Sequence, residues 1–576
     1  MDLTGRPGRV ERVSGPVVQI ADLADPVRFE YVEVGEAHLP GEIISVARNR
    51  AVAQLYEYSG GLSVGQPAWA SGRPLTVELG PGLLGGIYDG LLRPLDGAGQ
   101  FLVRRGLTRP PISEHDFVPL ADPGTEVDQG AVLGALRTRS GIEHLVLVPP
   151  GMTGRLEHLA GPGTYSTDHT IATVAGTPIG LVSEWPIRQP RPALARRAER
   201  QPFVTGQRVL DVLAPIAGGS SATVIGGFGE GKTVLLEQLA KWGDADVIIF
   251  VGCGERGNEL ADLIDELTEL TDPRTGRLLL ERTLILANTS NMPVMAREAS
   301  IYTAVTVAEY FRDMGSHAVI IADSTSRWAE ARRELASRTG AIPAEQGYPS
   351  DLPASLSSFY QRSGRVTTLG GRDGTVTIVT SVSPPGGDVT EPVAAHTQRF
   401  VEAVWALDRD LAYARHYPAV SWYRSFSRDV DSIGQWHAAN GDPEWSLRRD
   451  RLLAVLNEAS RLQGIADLVG LSALPTEERL TLLGARLVNE AILQQSAMST
   501  NDASCSIAKQ AALIDGVLSV HDKTAALGRA GVPASVIEGF DYSPLVRAKD
   551  DAGADDAESV DRTTAELLAA MDRLAP

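Results

Sequence analysis

Val224 to Gln238 read VIGGFGEGKTVLLEQ. Within it, Gly226-Gly-Phe-Gly-Glu-Gly231-Lys232-Thr233 fits the spacing G-x-x-x-x-G-K-[ST]. The apolar run SATVI precedes the loop and KTVLLEQLAKW follows it, so the pattern lies between a strand and a helix. Glycines let the backbone wrap until several N–H groups converge on phosphate oxygens, and the helix N-terminus adds partial positive charge. In such a loop Lys232 reaches the β- and γ-phosphates and the Thr233 hydroxyl binds Mg²⁺. The unusual residue is Glu230, an acid inside a loop built for an anion.

The surrounding text alternates apolar strands with helical runs: ADVIIFVGCGE, GNELADLIDEL, RTLILANTS and HAVIIADSTSRW. That alternation predicts a mostly parallel α/β sheet covered on both faces. Two further acids belong with the loop. The strand AVIIAD ends in Asp323, the expected partner for a Mg²⁺ shell. Glu255 and Arg256 follow directly on the apolar strand Val247–Val251. A carboxylate there can orient an attacking water, and the arginine can neutralise charge on a γ-phosphate. Cys253 is expected as a small buried residue rather than a reactive thiol.

Outward from this core the texture changes. Residues 8–70 are short apolar runs broken by Gly and Pro, which favours a small β-barrel or sandwich. Residues 110–185 are again strand-like and are expected as an inserted β module. WPIRQPRPALARRAER, Trp185 to Arg200, is expected as a solvated polyproline-like linker, with a phosphate-binding arginine strip as the alternative. From about 430 the text is helical; Leu452, Val455, Leu456, Ala459, Leu462 and Ile465 share one face. The acidic, alanine-rich last thirty residues predict a mobile stretch followed by a marginal helix.

The 576 residues suggest three or four domains at roughly 150 residues each. With 72 acids against 53 Lys and Arg, the net charge of −19 argues against sequence-independent nucleic-acid binding. Cys253 and Cys505 are the only cysteines, which excludes a disulfide framework and a Cys-Cys zinc pattern and fits a reducing cytosol. The N-terminus lacks an apolar signal core, and no run approaches the ~18 apolar residues of a membrane span. A membrane connection is expected through partners.

The sequence resembles the catalytic A subunit of V-type and archaeal-type rotary ATPases over nearly its whole length. The resemblance is carried by VSGPVV, LPGEIISV, YEYSGGLSVGQP, GRPLTVELGPGLLGGIYDGLLRPL, TGQRVLDVLAPIAGG, CGERGNE, MPVMAREASIYTAVTVAEYFRDMG, ADSTSRWAEA, GYPSDLPASLSSFYQRSGRV, SVSPPGGDVTEPV and RHYPAVSWYRSFS. It implies an N-terminal β-barrel (1–72), the start of the nucleotide-binding domain (73–109), an inserted β-rich bulge (110–185), a RecA-like P-loop α/β core (186–430) and a C-terminal helical domain with an acidic tail (431–576). It implies Mg-ATP hydrolysis or synthesis at the interfaces of a hexamer of alternating A and B subunits. The B subunit supplies an arginine finger in trans. Central- and peripheral-stalk subunits and a membrane ion sector for H⁺ or Na⁺ complete the machine, with this chain peripheral to the cytoplasmic face.

The same resemblance assigns ATP or ADP to Gly226, Phe228, Gly229, Gly231, Lys232, Thr233, Val234, Tyr417 and Met498. Thr233 and Asp323 serve Mg²⁺, and Lys232, Glu255 and Arg256 serve catalysis. Tyr417 packs on adenine. Three departures accompany it. The family's loop commonly reads Gly-Pro-Phe-Gly-Ser-Gly or Gly-Ala-Phe-Gly-Cys-Gly, where this chain has Gly227 and Glu230. Glu230 is expected to face a nearby basic group or a subunit interface. AILQQSAM replaces a segment rich in aromatics, with Ile492 and Met498 softening the adenine pocket. STNDASCS retains Cys505, whose thiol partner in some members falls at Glu230. An F-type β subunit, an export ATPase and a non-hydrolysing nucleotide-binding subunit are the alternatives. The bulge and ELGPGLLGGIYDG argue against the first two, and the presence of Lys232 with Glu255 argues against the third.

Overall fold

The structure, a computed structural model, describes residues 5–95, 112–138, 141–272, 274–340 and 342–574. The expected boundary at 109/110 lies outside the described residues. The chain divides into two compact units. One comprises Met1–Ala198, Gly218–Thr223 and Ala245–Val401; the other comprises Glu199–Ala217, Val224–Asp244 and Glu402–Pro576.

The first unit begins with a closed barrel of six antiparallel strands: Arg6–Ser14, Val17–Ala21, Glu30–Val34, Leu39–Ala47, Arg50–Leu55 and Pro67–Pro74. Alternation sends Val10, Val18, Ile20, Val32 and Ile43 inward, and closure leaves no unpaired edge. The first hairpin turns at Gly15, whose φ of +59° needs no Cβ penalty. Next comes the expected β module: two four-stranded antiparallel sheets between Glu114 and Gly180, closed over Leu133, Leu156, Ile171 and Val174.

The α/β core uses β1 (Ser221–Ile225), β2 (Val247–Cys253), β3 (Thr283–Asn288), β4 (His317–Asp323) and β5 (Asp373–Val382), in the order β1-β5-β4-β2-β3. β5, β4, β2 and β3 pair in parallel, and β2 and β3 are buried at every residue. Their unbroken apolar runs are what a sheet covered on both sides requires. Helices α1 (Lys232–Trp242), α2 (Gly257–Glu269), α3 (Val294–Asp313) and α4 (Thr325–Thr339) join the strands. The order of elements matches the fold class expected from the sequence.

The Trp185–Arg200 stretch is not a solvated linker throughout. Arg188 donates to Glu42 of the barrel at 2.8 Å and to Glu298 of α3 at 2.7 Å. Arg191, 8% exposed, pairs with Asp313 at 2.7 Å. Arg196 and Arg197, by contrast, are exposed. Prolines fix the backbone, and half-buried Arg188 and buried Arg191 are satisfied by partners more than a hundred residues away, which local composition does not reveal.

The second unit ends in helices Val430–Ala439, Trp445–Val469, Thr476–Val488, Ile507–Arg529, Ser543–Asp551 and Ala557–Met571. Leu452, Leu456, Ala459, Leu462 and Ala466 are the buried stripe of the second, with Val455 and Ile465 half-buried at its margin. The acidic tail bears out the expected final helix, and helix Ser543–Asp551 reaches into the stretch expected to be mobile. Its last helix buries Val560, Thr564, Leu567 and Met571 and packs on Ile507–Arg529. A Cβ at Gly516 would come within 2.6 Å of Thr564 Oγ1, so the glycine permits the close approach. The acids line the opposite face of a helix that is amphipathic.

Candidate functional site

The glycine loop belongs to the second unit. Gly229 and Gly231 have φ of +79° and +92°, and α1 begins at Lys232. Lys232 is 8% exposed. Its Nζ donates to the Gly226 carbonyl at 2.9 Å and to the Gly227 carbonyl, which keeps the ammonium over the inner curve of the loop. Thr233, the second residue of α1, is exposed, as is Phe228 at 92%. Val234 is also exposed.

Glu230 does not find a basic partner for its hydrogen bond. Its carboxylate folds back and accepts from Gly227 N–H at 2.7 Å. A Cβ on Gly226 or Gly227 would stand 2.7 or 2.6 Å from that carboxylate, so a side chain at either position would displace it. Arg409 feels the acid only as a distant charge; its guanidinium donates to Tyr413 Oη at 2.9 Å. The two departures in the loop therefore meet: Gly227 has the N–H that a proline lacks, and Glu230 takes it.

The Tyr417 ring lies at the far end of the loop, 3.8 Å from where a Cβ on Gly231 would be. Tyr417 carbonyl accepts from Gln495 N–H at 2.8 Å, which ties the 494–498 segment to it. Met498 is 95% exposed, whereas Ile492 is fully buried and offers only its carbonyl, to Arg208 Nε at 2.8 Å. Arg208 and Asp502, both 0% exposed, pair at 2.5 Å and brace this segment. Sequence reading passed over Arg208 and Gln495. TGQR alone gave no hint that the arginine reaches residues nearly three hundred positions away.

The carboxylate cluster belongs to the first unit. β2 and β4 lie in parallel with Gly252 opposite Asp323, so the turn after β2 places Glu255 beside the end of β4. Gly254 makes the turn at φ +75°, its N–H bonded to the Asn288 carbonyl at 2.7 Å. Ser290 N–H donates to the Glu255 carbonyl at 2.9 Å. Burial and the negative charges of Asp323 and Glu259 push Glu255 up to about 7, with Arg327 opposing. Asp323, 4% exposed, accepts from Ser381 Oγ at 2.5 Å. Arg256 is exposed and sits 3.6 Å from Glu259, a surface pair of small energetic weight. Cys253 is buried against Ser300, and burial pushes its thiol up to about 12, which suits an inert packing residue.

The sequence had not singled out Arg327, which enters the electrostatics of Glu255 from the first turn of α4. A basic residue one helical turn beyond Asp323 was the available signal. Hard oxygen donors, the Thr233 hydroxyl and the Asp323 carboxylate, are the chemistry Mg²⁺ takes alongside phosphate and water. Among the described residues no cluster of three or more His, Cys, Asp or Glu could hold a metal by itself.

Comparison with known proteins covers almost all of this sequence. Residues 10–72 match the beta-barrel domain of the ATP synthase alpha/beta family, and 111–188 the barrel-sandwich domain of ATP synthase alpha/beta subunits. Residues 206–427 match the nucleotide-binding domain of the ATP synthase alpha/beta family, and 434–526 the C-terminal domain of V and A type ATP synthase. The A subunit of the A-type ATP synthase of Metallosphaera sedula is 44% identical, covering 98% of each chain. The V-type ATP synthase alpha chain of Anaeromyxobacter sp. is 47% identical, over 91% of this chain and 92% of that one. The assembled ATPase EscN of the enteropathogenic E. coli type III secretion system shares the fold, with a TM-score of 0.63 at 20% identity over 89% of this chain and 100% of that one. The chain belongs to the family of A subunits, or alpha chains, of A-type and V-type ATP synthases, the ATP-hydrolysing or ATP-synthesising subunits of rotary ATPases.

Proposed function

We propose that this chain hydrolyses or synthesises Mg-ATP at interfaces with a non-catalytic B subunit, in a ring of alternating A and B subunits. Lys232 and the amides of Gly226, Phe228, Gly229, Gly231, Thr233 and Val234 receive the phosphates. Thr233 and Asp323 would hold Mg²⁺, which would supply charge neutralisation to the phosphates. Glu255 takes the water that attacks the γ-phosphorus: ionised, it accepts a water proton and aligns the lone pair. Arg256 steadies charge on the γ-phosphate. Phe228, Tyr417 and Met498 receive the base and its surroundings, Tyr417 by stacking.

One observation supports this most: the stretch matching an ATP synthase nucleotide-binding domain contains the loop, both carboxylates, Arg256 and Tyr417. The domain bounds at 72, 109, 185 and 430 are part of the same reading. So is a site of action at the cytoplasmic face of a membrane, reached through stalk subunits and an ion-conducting sector. Among the described residues no helix is long and apolar enough to cross a membrane. The test is ATPase activity of the chain reconstituted with its B partner, with and without the partner's finger arginine. Activity that depends on that arginine is expected. Equal turnover without it would overturn the interfacial site.

A further inference from the structure

Three consecutive residues of the second unit, Gly206, Gln207 and Arg208, all reach the chain between 492 and 505. The Gly206 carbonyl accepts from Gln495 Nε2 at 2.7 Å and from Cys505 N–H at 3.1 Å. Gln207 Nε2 donates to the Ala503 carbonyl at 3.0 Å. Arg208 commits both its backbone and its side chain. Its N–H donates to Gln495 Oε1 at 2.8 Å. Its guanidinium donates to the Ile492 and Gln494 carbonyls, each at 2.8 Å, and to Asp502 at 2.5 Å.

The segment held in this way lacks regular structure. Gln494, Gln495 and Ser496 belong to no helix or strand, so their backbone groups need partners from elsewhere. The Gln494 carbonyl also accepts from Lys549 Nζ at 3.1 Å, and Ser496 N–H donates to Asp502 Oδ2 at 2.7 Å. Gln495 N–H donates to the Tyr417 carbonyl at 2.8 Å, so what fixes Gln495 also fixes the backbone of Tyr417. A buried ion pair is a weak source of stability, because taking both charges out of water offsets most of their attraction. What a planar guanidinium supplies is direction, since one rigid fork fixes several acceptors at once. Here that direction is delivered to the segment that leads to Met498 and holds Tyr417. The glycine loop is set by other contacts, those of Lys232 and Glu230 with Gly226 and Gly227.

We propose that Arg208 is a positioning residue for the base half of the nucleotide site: acting through Gln495, it sets where Tyr417 and Met498 stand relative to the glycine loop. Arg208 is 0% exposed and cannot touch the nucleotide itself. Its effect falls on the base and leaves the phosphates alone, because the two halves of the site are held by separate sets of contacts. The proposal rests on the reading of Tyr417 and Met498 given above.

The test titrates the full chain calorimetrically with Mg-ATP and, separately, with Mg-tripolyphosphate, which carries phosphates but no base. The ratio of the two affinities isolates the base half. Tyr417→Ala should lower that ratio by about tenfold, the scale of one lost base stack. Arg208→Gln should lower it by about the same factor with tripolyphosphate affinity unchanged. Arg208→Lys, which keeps the charge but loses the fork, should fall between the parent and Arg208→Gln. Gln495→Ala should match Arg208→Gln. A ratio lowered in Tyr417→Ala but unchanged in Arg208→Gln overturns the proposal. Equal loss of both ligands in Arg208→Gln also overturns it, since general loosening of the fold would do that. Should Arg208→Gln fail to fold, unchanged ratios in both Arg208→Lys and Gln495→Ala overturn it. A ratio unchanged in Tyr417→Ala overturns the placing of the base on Tyr417, and this proposal with it.

Discussion

The phosphate loop and the strand-end turn solve opposite problems. In the loop every strong charge is already answered: Lys232 rests on two carbonyls and Glu230 on Gly227 N–H. In the turn, Glu255 faces Asp323 and Glu259 and is held partly protonated near neutrality. The loop is preorganised by its own backbone; the turn stores repulsion that a cation or proton relieves. A rotary enzyme needs both, a receptor whose shape persists between turnovers and a base whose charge responds to what is bound.

The comparison breaks most visibly at Glu255. Glu255→Gln keeps the shape and removes the charge, and should lower turnover of the reconstituted complex by about a hundredfold or more while Mg-ATP still binds. Near-normal turnover would remove Glu255 from the reaction. Lys232→Ala removes the loop's cation and should weaken Mg-ATP binding by roughly 10- to 100-fold, read by titration of the isolated chain.

A pH series sharpens the contrast. Glu255 holds its proton up to about 7 in the folded chain against 4.5 unperturbed. Its contribution to stability is therefore full below about pH 4.5 and is lost as pH rises through 7. Glu255→Gln should be more stable than the parent at pH 8, by on the order of 1 kcal/mol after allowing for partial exposure, and indistinguishable at pH 4.5. Thermal melts at the two pH values decide it. The smallest effect is expected at Glu230. Glu230→Ser should change Mg-ATP affinity by less than about tenfold, since it costs one hydrogen bond outside the phosphate contacts, and Glu230→Gln should restore the parent value. A hundredfold gain in Glu230→Ser would show that the carboxylate competes with phosphate.

Much of the architecture was legible because it is local. Gly-punctuated strands announced the barrel, apolar runs announced the parallel sheet, and the loop announced itself by spacing. What was hidden depends on partners far along the chain. Arg188 and Arg191 look like linker residues until Glu42, Glu298 and Asp313 are brought to them. The tail looks like a solvated acidic segment until one face meets the Ile507–Arg529 helix. Glu230 suggests a basic partner, but it takes the backbone three residues earlier, a choice no composition signals.

The Arg188 joint also limits how this protein can be recombined. One guanidinium reaches the barrel through Glu42 and the core through Glu298. A barrel exchanged from a relative after its last strand, Pro67–Pro74, would keep the joint only if it brought an acid at the position of Glu42. Without one, the graft would leave Arg188 half-matched in a half-buried place. Compatibility between barrels and cores thus travels as a charge pattern as well as a shape.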